Sequence, residues 1–196
     1  MRNLEADNLW GEVCLGYHIQ ARPDQTTIEA LQVVQRQIAE TTPVALHLVP
    51  PDSLHVSVVT LVAPQIDLGA AESEWLRISK NLDRQLEELL SLGKPEPVLF
   101  PRIAFTPQAL IVVTDSQPDI FSGLRMAYGK LLELVGLSAR KYDQTHVTIA
   151  RFAEARSVDN SVLELIEREK IDLFGCFDAV RLVRERRYPS LEIDEL

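Results

Sequence analysis

The sequence predicts an α+β fold of two related lobes, antiparallel sheets with helices on their outer faces and a cleft between. Three observations lead there. Strand-like and helix-like segments run in the same order through each half of the chain. A short histidine segment, Ser53-Leu54-His55-Val56-Ser57-Val58-Val59, is echoed nearly half the chain later by Gln144-Thr145-His146-Val147-Thr148-Ile149-Ala150. And 196 residues with 46% hydrophobic and 25% charged content support a substantial core in one large domain or two small lobes.

The elements follow in order. Val13-Cys14-Leu15-Gly16-Tyr17-His18-Ile19 reads as a strand. Pro23 then precedes a helix, with Thr26 and Glu29 spaced as a capping box. Ile28, Leu31, Val34 and Ile38 give that helix its apolar face. Leu46-His47-Leu48-Val49 is a short strand stopped by Pro50-Pro51. The His55 strand runs to about Val62. Trp75, Ile78, Leu82, Leu86 and Leu89 mark a second amphipathic helix, capped at Gly93. Val98 to Phe105 is a strand. The second half opens with the strand Leu110-Ile111-Val112-Val113. A helix follows on Phe121, Leu124, Tyr128, Leu131 and Val135, ending at Gly136. The His146 strand comes next, then a helix near 158–169 with Ser161 and Glu164 as a capping box. Leu173 to Val183 holds the last strand or pair of strands. The chain is read as one domain, 1–196, with repeat halves at roughly 8–106 and 107–187.

The paired segments carry the chemistry. Side chains on a strand alternate faces. His55 therefore shares a face with Ser57, and His146 with Thr148, while Val56, Val58, Val147 and Ile149 point the other way. Two imidazoles can divide the work of proton transfer near neutral pH, one neutral and one protonated. That division suits in-line displacement at phosphorus. Ser57 and Thr148 can donate hydrogen bonds to the phosphate oxygens, where transition-state charge accumulates. The scheme requires no metal and no cofactor, and the chain lacks the His/Asp clustering of a metal phosphodiesterase.

Paired His-x-Ser/Thr-x tetrapeptides on apolar strands, half of a chain this size apart, resemble the 2H phosphoesterase superfamily. The 2′,5′ RNA ligase-like proteins and the cyclic nucleotide phosphodiesterases belong to it. The resemblance implies a bilobal fold with two antiparallel sheets and the histidines facing across a central cleft. It implies opening of 2′,3′-cyclic phosphates to 2′-phosphates, with His146 as general base and His55 as general acid. Arg151 stands where RNA ligase-like members carry a phosphate-binding arginine. Strict alternation puts it on the face away from His146, so reaching the substrate needs a twist or bulge. The first motif departs from the pattern, with Ser57 for threonine and Val59-Thr60-Leu61-Val62 after it. A nucleotide-binding module without turnover and a reversible 2′,5′ RNA ligase share the same motifs.

Other residues are assigned more plainly. Tyr142 and Phe152 are further candidates for touching substrate, and Tyr17 could also stack on a base. His18 and His47 lack a hydroxyl two residues on and are read as structural or surface groups. Cys14 and Cys176 are read as small core residues. The formal net charge of −9 argues against an extended nucleic-acid surface. The basic run from Arg181 to Arg187 is read as the exposed face of a final strand. The expected partner is a nucleotide or RNA end with a cyclic phosphate. With no apolar run long enough for a bilayer and no secretory signal, a monomeric, cytoplasmic protein is expected.

Overall fold

The computed structural model describes residues 1–90, 97–134, 136, 142 and 144–196, with backbone alone at 81–90, 119, 120, 131 and 179. Gly93 and Val135, and the side chains of Leu82, Leu86, Leu89 and Leu131, lie outside the described residues. The strands are β1 (Arg2–Leu4), β2 (Val13–Pro23), β3 (Leu46–Leu48), β4 (Val56–Gln65), β5 (Val98–Phe105), β6 (Ala109–Val113), β7 (His146–Phe152), β8 (Arg156–Val158), β9 (Lys170–Gly175), β10 (Phe177–Arg187) and β11 (Glu192–Glu195). The helices are α1 (Gln25–Thr41), α2 (Leu68–Leu90), α3 (Asp119–Leu134) and α4 (Asn160–Glu167).

Helix spacing in the sequence matches burial in the structure. Ile28, Leu31, Val34 and Ile38 of α1 are buried, as are Phe121, Leu124 and Tyr128 of α3. The caps differ from the expected boxes. Asp24 accepts the Thr27 amide at 2.8 Å at the start of α1, and Asp159 accepts the Ser161 amide at 2.9 Å at the start of α4. In both cases an aspartate just upstream wins, because a carboxylate is the stronger acceptor and complements the positive helix end.

The strands form one antiparallel path, β11-β10-β2-β4-β7-β6-β5-β9, with β3 added to β7 and a separate β1-β8 pair. The two sheets expected from the sequence are thus joined, and the joint is a single bridge between Val56 and Val147. On one side, β4, β2, β10 and β11 carry α2 and α3; on the other, β7, β6, β5, β9 and β3 carry α1 and α4. The two halves of the sequence exchange strands between the lobes. β10, from the second half, completes the lobe of β2 and β4, while β3 and β5, from the first half, lie in the lobe of β7.

The basic run is not an exposed final strand. It lies in β10, whose edge is covered by β11. Arg181 is buried, and the acidic residues of β11 answer the run: Arg186 pairs with Glu192 at 3.1 Å and Asp194 at 3.3 Å, and Arg181 with Glu195 at 3.7 Å. Cys14 is buried and Cys176 partly so. Among the described residues no helix is long and apolar enough to cross a membrane.

Candidate active site

Pro50 and Pro51 end the β3 segment and start a 3-10 turn, Pro51–Ser53, immediately before β4. His55 leaves that turn with its ring held from below: His55 Nδ1 donates to the Ser53 carbonyl at 2.8 Å. A carbonyl only accepts, so this bond assigns the proton to Nδ1 and leaves Nε2 for the cleft. His146 opens β7. The antiparallel sense of the Val56–Val147 bridge sets His55 across from Thr148 and His146 across from Ser57. All four line one cleft of about 670 Å³. Val56, Val58, Val147 and Ile149 are buried on the other face.

Both histidine strands then slip by one residue at the same place. In β4, Ser57 pairs with Gln20 but the next step pairs Val59 with Ile19, so Val58 is extra. In β7, Thr148 pairs with Ile111 and Ala150 with Leu110, so Ile149 is extra. A bulge of this kind re-aims every later side chain. Thr60 and Arg151, each five residues past its histidine, therefore return to the cleft. The turn that Arg151 needed is present. Phe152 is re-aimed the other way: it is fully buried against Phe105, ring centroids 6.2 Å apart, and does not line the cleft.

A helix side chain holds each slip. Gln35 of α1 donates from Nε2 to the Ile149 carbonyl at 2.7 Å and to the Val49 carbonyl at 2.8 Å. Arg125 of α3 donates from Nη2 to the Ser57 carbonyl at 2.8 Å and from Nη1 to the Thr145 hydroxyl at 3.1 Å. Sequence reading missed both, although a signal existed. Gln35 falls between Leu31 and Ile38, and Arg125 between Phe121 and Tyr128, each on the buried face of its helix. A polar residue there needs partners in the interior.

Tyr142 lines the cleft. Its hydroxyl hydrogen-bonds that of Thr60, and its ring lies 5.0 Å from the Arg125 guanidinium. Arg151 is ion-paired to the buried Asp7 at 3.2 Å and lies over the Tyr188 ring at 5.1 Å. It faces the cleft at the same time. Tyr17 belongs to the core, stacked on Trp75 and bonded to Glu72 at 2.8 Å. His47 stacks on Trp10. His18 is buried but also lines the cleft, its ring 5.9 Å from that of His55. Glu185, Tyr188 and Ser190 complete that end.

The field in the cleft opposes the net charge of the chain. Burial pushes His55 down to about 4, against the Ser53 carbonyl and with help from Arg181, His146 and Arg151. Burial likewise pushes His18 down to about 3. It pushes Glu185 up to about 7, against the Ser190 amide and Arg151. Cations converging on a neutral imidazole make a place for an anion. Among the described residues, no three His, Cys, Asp or Glu side chains gather as a metal site.

No family model matches the chain, and no curated protein matches it in sequence. Solved structures do match in three dimensions. Escherichia coli LigT in its apo form has a TM-score of 0.62 at 14% identity, covering 94% of this chain and 96% of that one. TT0787 of Thermus thermophilus has a TM-score of 0.60 at 17% identity, covering 92% and 97%. The MHV ns2 PDE domain has a TM-score of 0.50 at 14% identity, covering 92% and 97%. LigT has also been solved with 3′-AMP and with phosphate. At such identities the likeness is one of fold alone.

Proposed function

We propose that this protein is a metal-independent phosphodiesterase that opens 2′,3′-cyclic phosphates of nucleotides or RNA ends by two-histidine acid–base catalysis. One observation carries the reading: His55 and His146, each with a hydroxyl two residues on, line the same cleft from adjoining antiparallel strands, with Arg151 beside them. The nucleotide and phosphate complexes of LigT, which shares the fold, agree with such a ligand.

In this mechanism the phosphate lies between the imidazoles, held by Ser57, Thr148 and Arg151. His146 takes a proton from water as the water oxygen bonds to phosphorus. The bond from phosphorus to the 3′ oxygen breaks, and His55 gives that oxygen a proton. The products are a 2′-phosphate and a free 3′ hydroxyl. His55 is neutral in the empty cleft, so its proton must come with the substrate: a phosphate anion beside Nε2 lifts the imidazole toward protonation. Hydroxyl donors and a guanidinium fixed before the substrate enters stabilise the charge that develops on the phosphate oxygens.

The test is a panel of 2′,3′-cyclic mononucleotides, cyclic-phosphate RNA ends and linear phosphodiesters, incubated with protein in EDTA. The expected result is a 2′-phosphate product from a cyclic substrate, lost in His55→Ala and His146→Ala. Turnover that survives either substitution, or no turnover of any cyclic phosphate, would overturn the assignment.

A further inference from the structure

A buried hydrogen-bonded chain runs beneath His55, and the mechanism above does not use it. It starts at Glu185 of β10. Glu185 Oε1 accepts the Ser190 amide at 2.5 Å. The Ser190 carbonyl accepts the Ser53 hydroxyl at 2.8 Å. The Ser53 carbonyl accepts His55 Nδ1–H at 2.8 Å. A second arm leaves the same carboxyl group: Glu185 Oε2 is 3.5 Å from His18 Nδ1. The Gln20 amide bridges His18 Nε2, at 2.6 Å, and the Ser190 hydroxyl, at 2.9 Å. The His18 ring in turn lies nearly parallel to His55, 15° between planes.

Every side chain in this network is buried: Gln20, Glu185, Ser53, Ser190 and His18 are all 6% exposed or less. Ser190 also has a φ of +53°, a backbone conformation that a non-glycine residue holds only when its surroundings fix it. Burying an ionisable carboxyl to hold one amide is costly. An imidazole used for proton transfer, by contrast, gains from a fixed ring: the nitrogen must point at the reacting oxygen, and a misplacement of about 1 Å can cost about 10²-fold in rate.

We propose that Glu185, Ser190 and Ser53 are positioning residues for His55. The carboxyl fixes the Ser190 amide, Ser190 fixes Ser53, and Ser53 fixes the imidazole with Nε2 toward the cleft. His18 closes the remaining side of the ring. The inference rests on the reading of His55 as a proton-transfer group, but its central observable does not depend on turnover.

The experiment is nitrogen NMR of the histidine rings in the whole, unliganded protein, above the pH where His55 protonates. The wild type is expected to show His55 as the Nδ1–H tautomer alone. Ser53→Ala and Glu185→Leu are expected to give a mixture of tautomers, while Glu185→Gln, which keeps an acceptor for Ser190, retains the single form. On whichever cyclic phosphate is opened, Ser53→Ala should lower kcat about 10- to 100-fold with KM within about threefold. A folded Ser53→Ala protein with a single Nδ1–H tautomer and wild-type kcat overturns the proposal. Should Glu185→Leu fail to fold, Ser53→Ala alone decides. A wild type that opens no phosphodiester sinks the phosphodiesterase reading, and the tautomer comparison still settles the positioning role.

Discussion

Replacing Gln35 by leucine tests whether the slip in the His146 strand is held from outside the cleft. The side chains are similar in volume, so the substitution leaves no large cavity. It removes two hydrogen bonds to interior carbonyls, at 2.7 and 2.8 Å. The two losses are unequal. The Ile149 carbonyl keeps the Val49 amide at 3.0 Å, so it forfeits a second donor, worth about 1 kcal/mol. The Val49 carbonyl loses its side-chain donor in the interior, which costs about 1–3 kcal/mol. The total is about 2–4 kcal/mol, read as a drop in Tm of roughly 5–15 °C for a chain of this size. Urea denaturation should give the same loss at an unchanged slope. Relaxing the slip also moves Arg151 off the cleft, so kcat on a cyclic phosphate should fall further than the stability loss explains at a temperature where the variant is folded. A Gln35→Leu protein within about 0.5 kcal/mol of wild type and equally active would refute this account of the bulge.

His55→Ala and His146→Ala should each lower kcat by about 10²–10⁴-fold, measured on the same substrate. Ser57→Ala and Thr148→Ala should cost about 1–3 kcal/mol of transition-state stabilisation, read from kcat/KM. The acid limb of kcat/KM against pH should lie below the ordinary histidine value, toward the value of about 4 to which His55 is pushed; Arg181→Gln removes a cation that depresses it and should move the limb upward. Stability should depend on pH through opposing groups. His18 and His55 titrate lower folded than unfolded, so their contribution is full above about 6.5 and is lost as pH falls, at up to about 1.4 kcal/mol per pH unit each and less for His55, which opens onto the cleft. Glu185 titrates higher folded, at about 7, so its contribution is present below about 4.5 and is lost as pH rises toward 7. Glu185→Gln should therefore steepen the loss between about pH 6.5 and 4.5 in urea midpoints.

The histidine strands were legible because their signal is local. A histidine, a hydroxyl and flanking β-branched residues declare both the strand and the face. Helix α1 was legible for the same reason, from the spacing of Ile28, Leu31, Val34 and Ile38. What escaped was long-range. The slips at Val58 and Ile149 depend on donors from α1 and α3, far along the chain, so alternation alone put Phe152 on the cleft face and left Thr60 out. His18 looked ordinary because its importance comes from Glu185 and Ser190, more than 160 residues away. Arg181 looked exposed because β11, which covers its strand, is short and strongly charged. The candidate site is legible in sequence where one strand builds it, and illegible where several elements meet.

The crossing of strands between the halves has a mechanical consequence. Two lobes joined by a single linker behave as hinged bodies, and relative motion is their default. Here β10 is threaded into one lobe while β3 and β5 are threaded into the other, and the Val56–Val147 bridge ties the two histidine strands directly. Opening the molecule like a clam would break that bridge and pull on each connection that crosses between the lobes. The separation of the imidazoles is therefore tied to how the two histidine strands pair on folding. If the proposed function holds, substrates are sorted by whether their phosphorus and its two in-line oxygens fit that separation.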